Sequence, residues 1–344
     1  MPRVFKYPVE NKQLLVGETV SPNSTKTYTD VFPVGKGVGE TWEKIRLTFY
    51  HLIGGQAAIT FPVAEGAYHY IKRIRLETSD GETIVDCPGS GLYWFNYLND
   101  RTAPMHDEIL VAAGNYVAIL DIPFGMNFLR KPEDSYLDSG AYSGLKLRID
   151  TGTLADLGVT GVGTTHVVTM DMAIVRTKAG SFDNKETKPL IVPYIQYVGD
   201  RQGPGGDQWY NFERASDLAL FGYILALGTT RIFPFDFTNV ATGLHTRVDS
   251  IEGLVFGDNL NPRIIDNMML PDIQANRLKD FGFNDYALLT PLVGIYHYMF
   301  IRDGSVYGAY PTGDKSEIKF VANIWLQPAP ADMLIFGFRT RRKI

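Results

Sequence analysis

The chain has 344 residues, enough for one large or two medium domains. Its 45% hydrophobic and 21% charged residues are ordinary for a globular chain, and 33 basic residues against 38 acidic ones give no electrostatic footprint of a dedicated nucleic-acid binder. A single cysteine, Cys87, excludes an intramolecular disulfide framework, and no run of eighteen apolar residues offers a membrane span.

The opening segment MPRVFKYPVENKQ lacks the apolar core of a signal peptide, so synthesis in a cytoplasm is expected. Residues 1–39 are polar and broken by prolines and glycines, which predicts an extended N-terminal arm with one or two short strands. Asn23-Ser24-Thr25 matches a glycosylation sequon but reads as a plain loop. From Glu40 to Leu52, Trp42, Lys44 and Arg46 alternate with Ile45, Leu47 and Phe49, the pattern of a half-buried strand. Gly54-Gly55 is read as a turn into a second strand, Ala57 to Val63. Tyr68 to Thr78 reads as a strand with Tyr68, Tyr70, Ile74 and Leu76 on one face and Lys72 out of step. Ser79-Asp80-Gly81 turns the chain, Glu82 to Asp86 returns, and Ser90 is placed to cap a short helix with Leu92, Phe95 and Leu98 inward. Tyr116 to Phe124, Leu145 to Asp150 and His166 to Thr177 are strands, and Gly125 to Gly144 is expected to be an exposed excursion.

Lys178 to Lys188 is polar, charged and short, which marks it as the linker between two halves. Beyond it, strands are expected at Pro189 to Val198, Arg231 to Phe237, Thr246 to Phe256, Ile295 to Ile301, Glu317 to Leu326 and Asp332 to Phe338. Asp217 to Leu227 fits strand or helix, and Ile273, Leu278 and Phe281 share helical spacing. The loop Gly257 to Leu288 is expected to be exposed, like Gly125 to Gly144.

Four markers recur in order. Asp80 returns as Asp258, 178 residues on; NYVAILDIPFG, ending at Gly125, as GIYHYMFIRDG, ending at Gly304; SGLKLRID, from Ser143, as SEIKFVAN, from Ser316; and AIVRT, ending at Thr177, as FGFRT, ending at Thr340. Ordered echoes near half the chain length indicate two similar domains in tandem. About seven or eight strands per half, joined by turns, point to an all-β fold of antiparallel sandwiches or barrels.

No motif carries catalytic chemistry. The six histidines, at 51, 69, 106, 166, 245 and 297, show no metal-ligand spacing, and His69 and His297 read as packed or interface residues. Gly308 to Gly313 resembles a phosphate loop, but Asp314 stands where phosphate would lie and a strand follows, so the reading is a hairpin turn. Cys87 reads as a core thiol, and Asp107-Glu108 as solvated loop charges. No catalytic, cofactor or metal residue is assigned. The basic end, with Arg339, Arg341, Arg342 and Lys343, is either a solubilising tail or a contact with an acidic surface.

IKRIRLETSDGETIVD with the aromatic helix after it, and the run from Gly294 to Thr340, resemble the mid-barrel hairpin and the closing strands of the double jelly-roll major capsid proteins of tailless icosahedral viruses with an internal membrane. The resemblance covers roughly residues 40–340, although the chain lacks the long N-terminal amphipathic helix of some members. It implies two tandem eight-stranded antiparallel jelly rolls with short helices in loops: residues 1–39 an arm, 40–182 the first roll, 183–344 the second with its basic tail. It implies a non-enzymatic shell protein of the virion without cofactors, assembling as pseudo-hexameric homotrimers. Its partners would be its own copies, minor or vertex capsid proteins and the internal membrane, with no sequence-specific nucleic-acid binding. A carbohydrate-binding or glycan-processing jelly-roll protein is the alternative, and glycan binding on an array would favour it.

Overall fold

The computed structural model describes residues 9–35, 40–59, 66–102, 104, 113–157, 159–178, 190–201, 206–211, 215–227, 251–258, 295–301, 304–315, 318–324 and 331–341. The chain divides into two units. The first holds Met1–Asn127, Lys131–Ile195 and Arg339–Ile344; the second holds Phe128–Arg130 and Gln196–Phe338. The expected linker, the expected strand at Arg231 to Phe237 and most of Gly257 to Leu288 lie outside the described residues.

The first unit is two antiparallel sheets. One has the order β1 (Val9–Thr19), β9 (Val159–Lys178), β3 (Glu40–Ile59), β6 (Gly114–Pro123), with a two-residue β7 (Leu137–Asp138) beside β3. The other runs β5 (Thr83–Cys87), β4 (Ile71–Thr78), β8 (Leu145–Thr151), β2 (Thr25–Tyr28). Apart from the β4-β5 hairpin and the step from β6 to β7, sequence neighbours alternate between the sheets, so β1 pairs with β9 and β2 with β8 across most of the unit. That is jelly-roll connectivity. The expected arm contributes β1 and β2, one strand to each sheet.

Inner faces alternate at period two and form the core. Ile45, Leu47 and Phe49 of β3, Met170, Met172 and Ile174 of β9, and Ile74 and Leu76 of β4 are all fully buried. Each such side chain contributes roughly 1.5–3 kcal/mol relative to staying exposed. Trp42, which simple alternation puts with Lys44 and Arg46, is also fully buried: a register shift between Trp42 and Lys44 flips the face. A second shift, between Ile71 and Arg73, explains why Lys72 is out of step.

Several sequence expectations are corrected. Gly54-Gly55 does not turn the chain. β3 runs on to Ile59 against a continuous β9, with a bulge between Gly54 and Gln56. Gly55 and Gly163 face each other there at φ +83° and +66°, and a Cβ on Gly55 would strike the Gly163 backbone. Tyr68 and Tyr70 are inward as expected but belong to a 3-10 turn, Gly66–Tyr70, before β4. Pro88, not Ser90, is the N-cap of α1 (Gly89–Asp100), and Leu92 through Asn99 are buried on every side. A Cβ on Gly89 would lie 2.6 Å from the Tyr68 carbonyl oxygen, so the helix starts where only glycine fits. Gly125 to Gly144 is not an exposed excursion: Met126, Leu129, Leu137 and Tyr142 are buried, and Ser135 Oγ accepts from the Met126 amide.

The remaining strands repeat the plan. Their orders are β14 (Ile295–Met299), β12 (Leu218–Leu227), β17 (Ala331–Arg341), β10 (Leu190–Arg201), with β15 (Tyr310–Pro311) beside β12, and β11 (Gly206–Asn211), β16 (Ile318–Ile324), β13 (Ile251–Asp258). Reading β1 as β10, β3 as β12, β6 as β14 and β9 as β17 reproduces the first sheet strand for strand. β7 against β3 matches β15 against β12, and β2-β8-β4 matches β11-β16-β13. A counterpart of β5 would fall outside the described residues. Asp217 to Leu227 is therefore strand, because it occupies the central place of β3.

Candidate functional site

Among the described residues no group of three or more His, Cys, Asp or Glu is placed to hold a metal. Cys87 is buried and its thiol is pushed far up by burial, so it is packed rather than poised as a nucleophile. The segment Gly308 to Lys315 holds β15 and a turn, and β16 follows it instead of a helix. His297 is buried in β14 opposite Ile224.

The structure does bring histidines together that the sequence holds apart. His51 of β3 and His166 of β9 stack with ring centroids 5.3 Å apart, and His51 Nδ1 meets His166 Nε2 at 3.1 Å. Tyr70 packs edge-on to both rings. Burial lowers His51 to about 3 and His166 to about 4, and the opposed ring adds to the effect on His51. Both imidazoles are therefore neutral at pH 7.

One carboxylate cluster is buried. Burial opposes the charge of Asp121, but a bidentate Arg46 (2.8 and 3.0 Å) and Lys44 (2.8 Å) hold its carboxyl below the usual range. Glu43 and Asp100 nearby are raised, chiefly by burial. Asp100 accepts from Asn99 and Asn127, so it fixes the end of α1 to the loop after β6.

The two outward sheet faces of the first unit differ sharply. The outward face of β5-β4-β8-β2 is a ladder of charge: Arg73 donates twice to Asp86 at 2.6 Å, Arg75 reaches Glu77 at 2.8 Å, Lys146 reaches Glu77 at 3.2 Å, and Arg148 reaches Asp150 at 3.0 Å. The outward face of β1-β9-β3-β6 carries Val16, Tyr50, Leu52 and Val167, exposed by 75%, 41%, 52% and 48%. Leu52 stands directly opposite Val167, and Tyr50 opposite Thr169. Its one charge in that region, Asp171, accepts from the Gly17 amide (2.7 Å) and the Tyr50 hydroxyl (3.2 Å).

Comparison with known proteins decides the architecture. No family model matches the chain, and no curated protein matches it. Solved structures do. The major capsid protein P2 of bacteriophage PM2 superposes with TM-score 0.62 at 11% identity, covering 98% of this chain and 99% of that one. The Sulfolobus turreted icosahedral virus structure gives 0.64 at 11% identity over 96% and 90%. The PBCV-1 virus capsid gives 0.61 at 10% identity over 100% and 97%. The fold is a double jelly roll.

Within the double jelly roll the predicted basic tail divides. Arg339 and Arg341 end β17, and the half-buried Arg339 guanidinium lies 5.1 Å from the Tyr194 ring centroid. Arg342 and Lys343 lie outside the described residues. The outward residues Tyr50, Leu52 and Val167 were not singled out from sequence. Their signal is an apolar residue at each place where the alternation that put Lys44 and Arg46 outward demands a polar one.

Proposed function

We propose that this chain is a shell-building subunit, a viral major capsid protein, and that three copies close into a ring with a pseudo-sixfold outline. The observation that carries the reading is the repeated strand order, β6-β3-β9-β1 and β14-β12-β17-β10, in one chain whose fold is shared with capsid proteins. Two like rolls per chain make six near-equivalent blocks from three chains, and a heterologous contact repeated around a cyclic axis closes such a ring. A six-sided block tiles a shell, and this role asks for wide faces instead of an active site. The protein works in the virion shell after synthesis in the host cytoplasm, and its main partner is itself, with minor or vertex capsid proteins at the lattice edges. The basic end from Arg339 to Lys343 faces an anionic layer such as an internal membrane.

Native mass spectrometry tests the assembly. Three chains of 38.4 kDa give a species of about 115 kDa. Only monomer or dimer under mild conditions would end the reading.

A further inference from the structure

We propose that the outward face of the β1-β9-β3-β6 sheet, centred on Tyr50, Leu52 and Val167, is the surface on which a second copy of this chain docks. The proposal rests on the assembly reading above and names the face that closes the ring.

The first argument is chemical. An exposed antiparallel face ordinarily carries polar side chains at alternate positions. β3 keeps that rule at Lys44 and Arg46 and breaks it at Tyr50 and Leu52. Facing positions on β9 are Thr169 and Val167, which carry no charge. Asp171 already has both of its carboxylate oxygens in hydrogen bonds within the sheet. Covering the Tyr50, Leu52 and Val167 end removes apolar surface from water, and the carboxylate it covers, Asp171, keeps a hydrogen bond to each oxygen, so association there is favoured.

The second argument comes from the duplication. β12 holds the place in the second roll that β3 holds in the first. Neighbouring residues of a strand point to opposite faces. In β12, Leu220 and Phe221 are 1% and 0% exposed, and Tyr223 and Ile224 are 1% and 2%, so both faces are covered. In β3, Phe49 and Ile53 are buried while Tyr50 and Leu52 between them are about half exposed, so one face is bare. From Leu218 to Ile224 of β12 both faces are buried, whereas the outward face of β3 is bare at Tyr50 and Leu52. A second copy brings a surface built to the same plan, and a bare face meeting a different surface of the next chain is the heterologous contact that a ring requires.

The third argument is size. Ten residues of β3 are paired with β6, from Lys44 to Ile53. At about 3.3 Å per residue and about 4.8 Å between strands, four strands make a patch of roughly 33 by 19 Å. With the Lys44, Arg46 and Asp121 ion pairs at one end and Tyr50 and Leu52 at the other, its corrugated surface approaches the roughly 800 Å² per partner of a stable interface.

The experiment compares the full-length chain with Leu52→Glu/Val167→Glu and with Arg73→Ser/Lys146→Ser, by sedimentation velocity over a concentration series with urea unfolding on each. The expected result is a trimeric wild type, a folded monomeric Leu52→Glu/Val167→Glu, and a trimeric Arg73→Ser/Lys146→Ser. A folded Leu52→Glu/Val167→Glu that remains trimeric overturns the choice of face and leaves the assembly reading standing. A wild type that is monomeric at every concentration overturns both. If the glutamate variant does not fold, Tyr50→Ser/Leu52→Ser replaces it. An association constant weakened tenfold or more then supports the proposal, and an unchanged one overturns it. A variant that stays trimeric but no longer binds vesicles of anionic lipid identifies a lipid surface and also overturns it.

Discussion

The two sheets of the first roll share their inward chemistry and differ in their outward chemistry. Inward, both present aliphatic and aromatic side chains at period two. Outward, β5-β4-β8-β2 shows Arg73, Arg75, Glu77, Asp86, Lys146, Arg148 and Asp150, while β1-β9-β3-β6 shows Val16, Tyr50, Leu52 and Val167. Exposed ion pairs of the first kind contribute about 0–1 kcal/mol each to folding. Their larger effect is on association, because covering that face would strip water from seven charges. The second face gathers its charges elsewhere, Lys44 and Arg46 on Asp121 and Asp171 in bonds to Gly17 and Tyr50, and leaves the Tyr50, Leu52 and Val167 end apolar. A fold whose two sheets are equally able to be covered is thus given a wet side and a dry side by its outward residues alone.

The largest contrast is between the two sides of one strand. Leu47→Ala empties a fully buried site and should cost about 2–5 kcal/mol in urea unfolding of the isolated subunit. Leu52→Ala, five residues along and half exposed, should move that midpoint by less than about 0.5 kcal/mol. Equal costs would mean that Leu52 is already covered within the chain.

Charge gives the next contrast. Asp121→Asn leaves Lys44 and Arg46 without their buried partner and should destabilise by about 2–4 kcal/mol. Asp150→Asn on the charged face should cost about 1 kcal/mol or less. Denaturant midpoints for the two variants rank them directly.

The histidine pair sharpens the comparison in pH. Unfolded imidazoles titrate near 6.5, while His51 and His166 in the fold are lowered to about 3 and about 4. Above pH 6.5 both states are neutral and nothing is lost. Below it the unfolded chain takes up protons that the fold refuses, so stability falls until the pH reaches the folded values. His51 accounts for about 2 kcal/mol of that loss by pH 5, and the less buried His166 for less. Facing groups are Tyr70, edge-on to both rings, and Tyr116, opposite His51 in register; among the described residues no carboxylate acts on either imidazole. His51→Phe/His166→Leu should flatten the pH dependence of the midpoint between pH 7 and 5.

The smallest effects concern the basic end. Arg339→Gln loses its contact with Tyr194 and should lower stability by about 0.5–1 kcal/mol. Arg341→Gln/Arg342→Gln/Lys343→Gln should leave stability unchanged and weaken binding to anionic vesicles by about 1 kcal/mol per residue at low salt. Binding that is unchanged would reduce the tail to a solubility element.

How far the sequence led depends on what each feature needed. The tandem plan was legible, because turns and apolar strands repeat in order: Asp80 follows β4 as Asp258 ends β13, and SGLKLRID and SEIKFVAN contain residues of β8 and β16, which pair with β4 and β13 in the same way in both rolls. Bulges were visible only as broken alternation. Lys72 was out of step for that reason, Trp42 was grouped with the outward Lys44 and Arg46 although the bulge turns it inward, and Gly54-Gly55 looked like a turn because the glycine a bulge needs is the glycine a turn needs. The excursion after Gly125 looked exposed because its buried residues follow no period; 3-10 turns and β7 hold them. His51 and His166 are 115 residues apart, and only strand register brings them together. Tyr50 and Leu52 were within reach of a reading that asked which outward positions lack a polar residue.

Hydroxyl-radical footprinting of the assembled and dissociated protein tests the wet-side and dry-side account most directly. It should show Tyr50, Leu52 and Val167 protected several-fold on assembly, with Arg73 and Arg148 labelled equally in both states. Labelling of Tyr50, Leu52 and Val167 that is the same in ring and subunit, or protection that falls on the charged face, would contradict it.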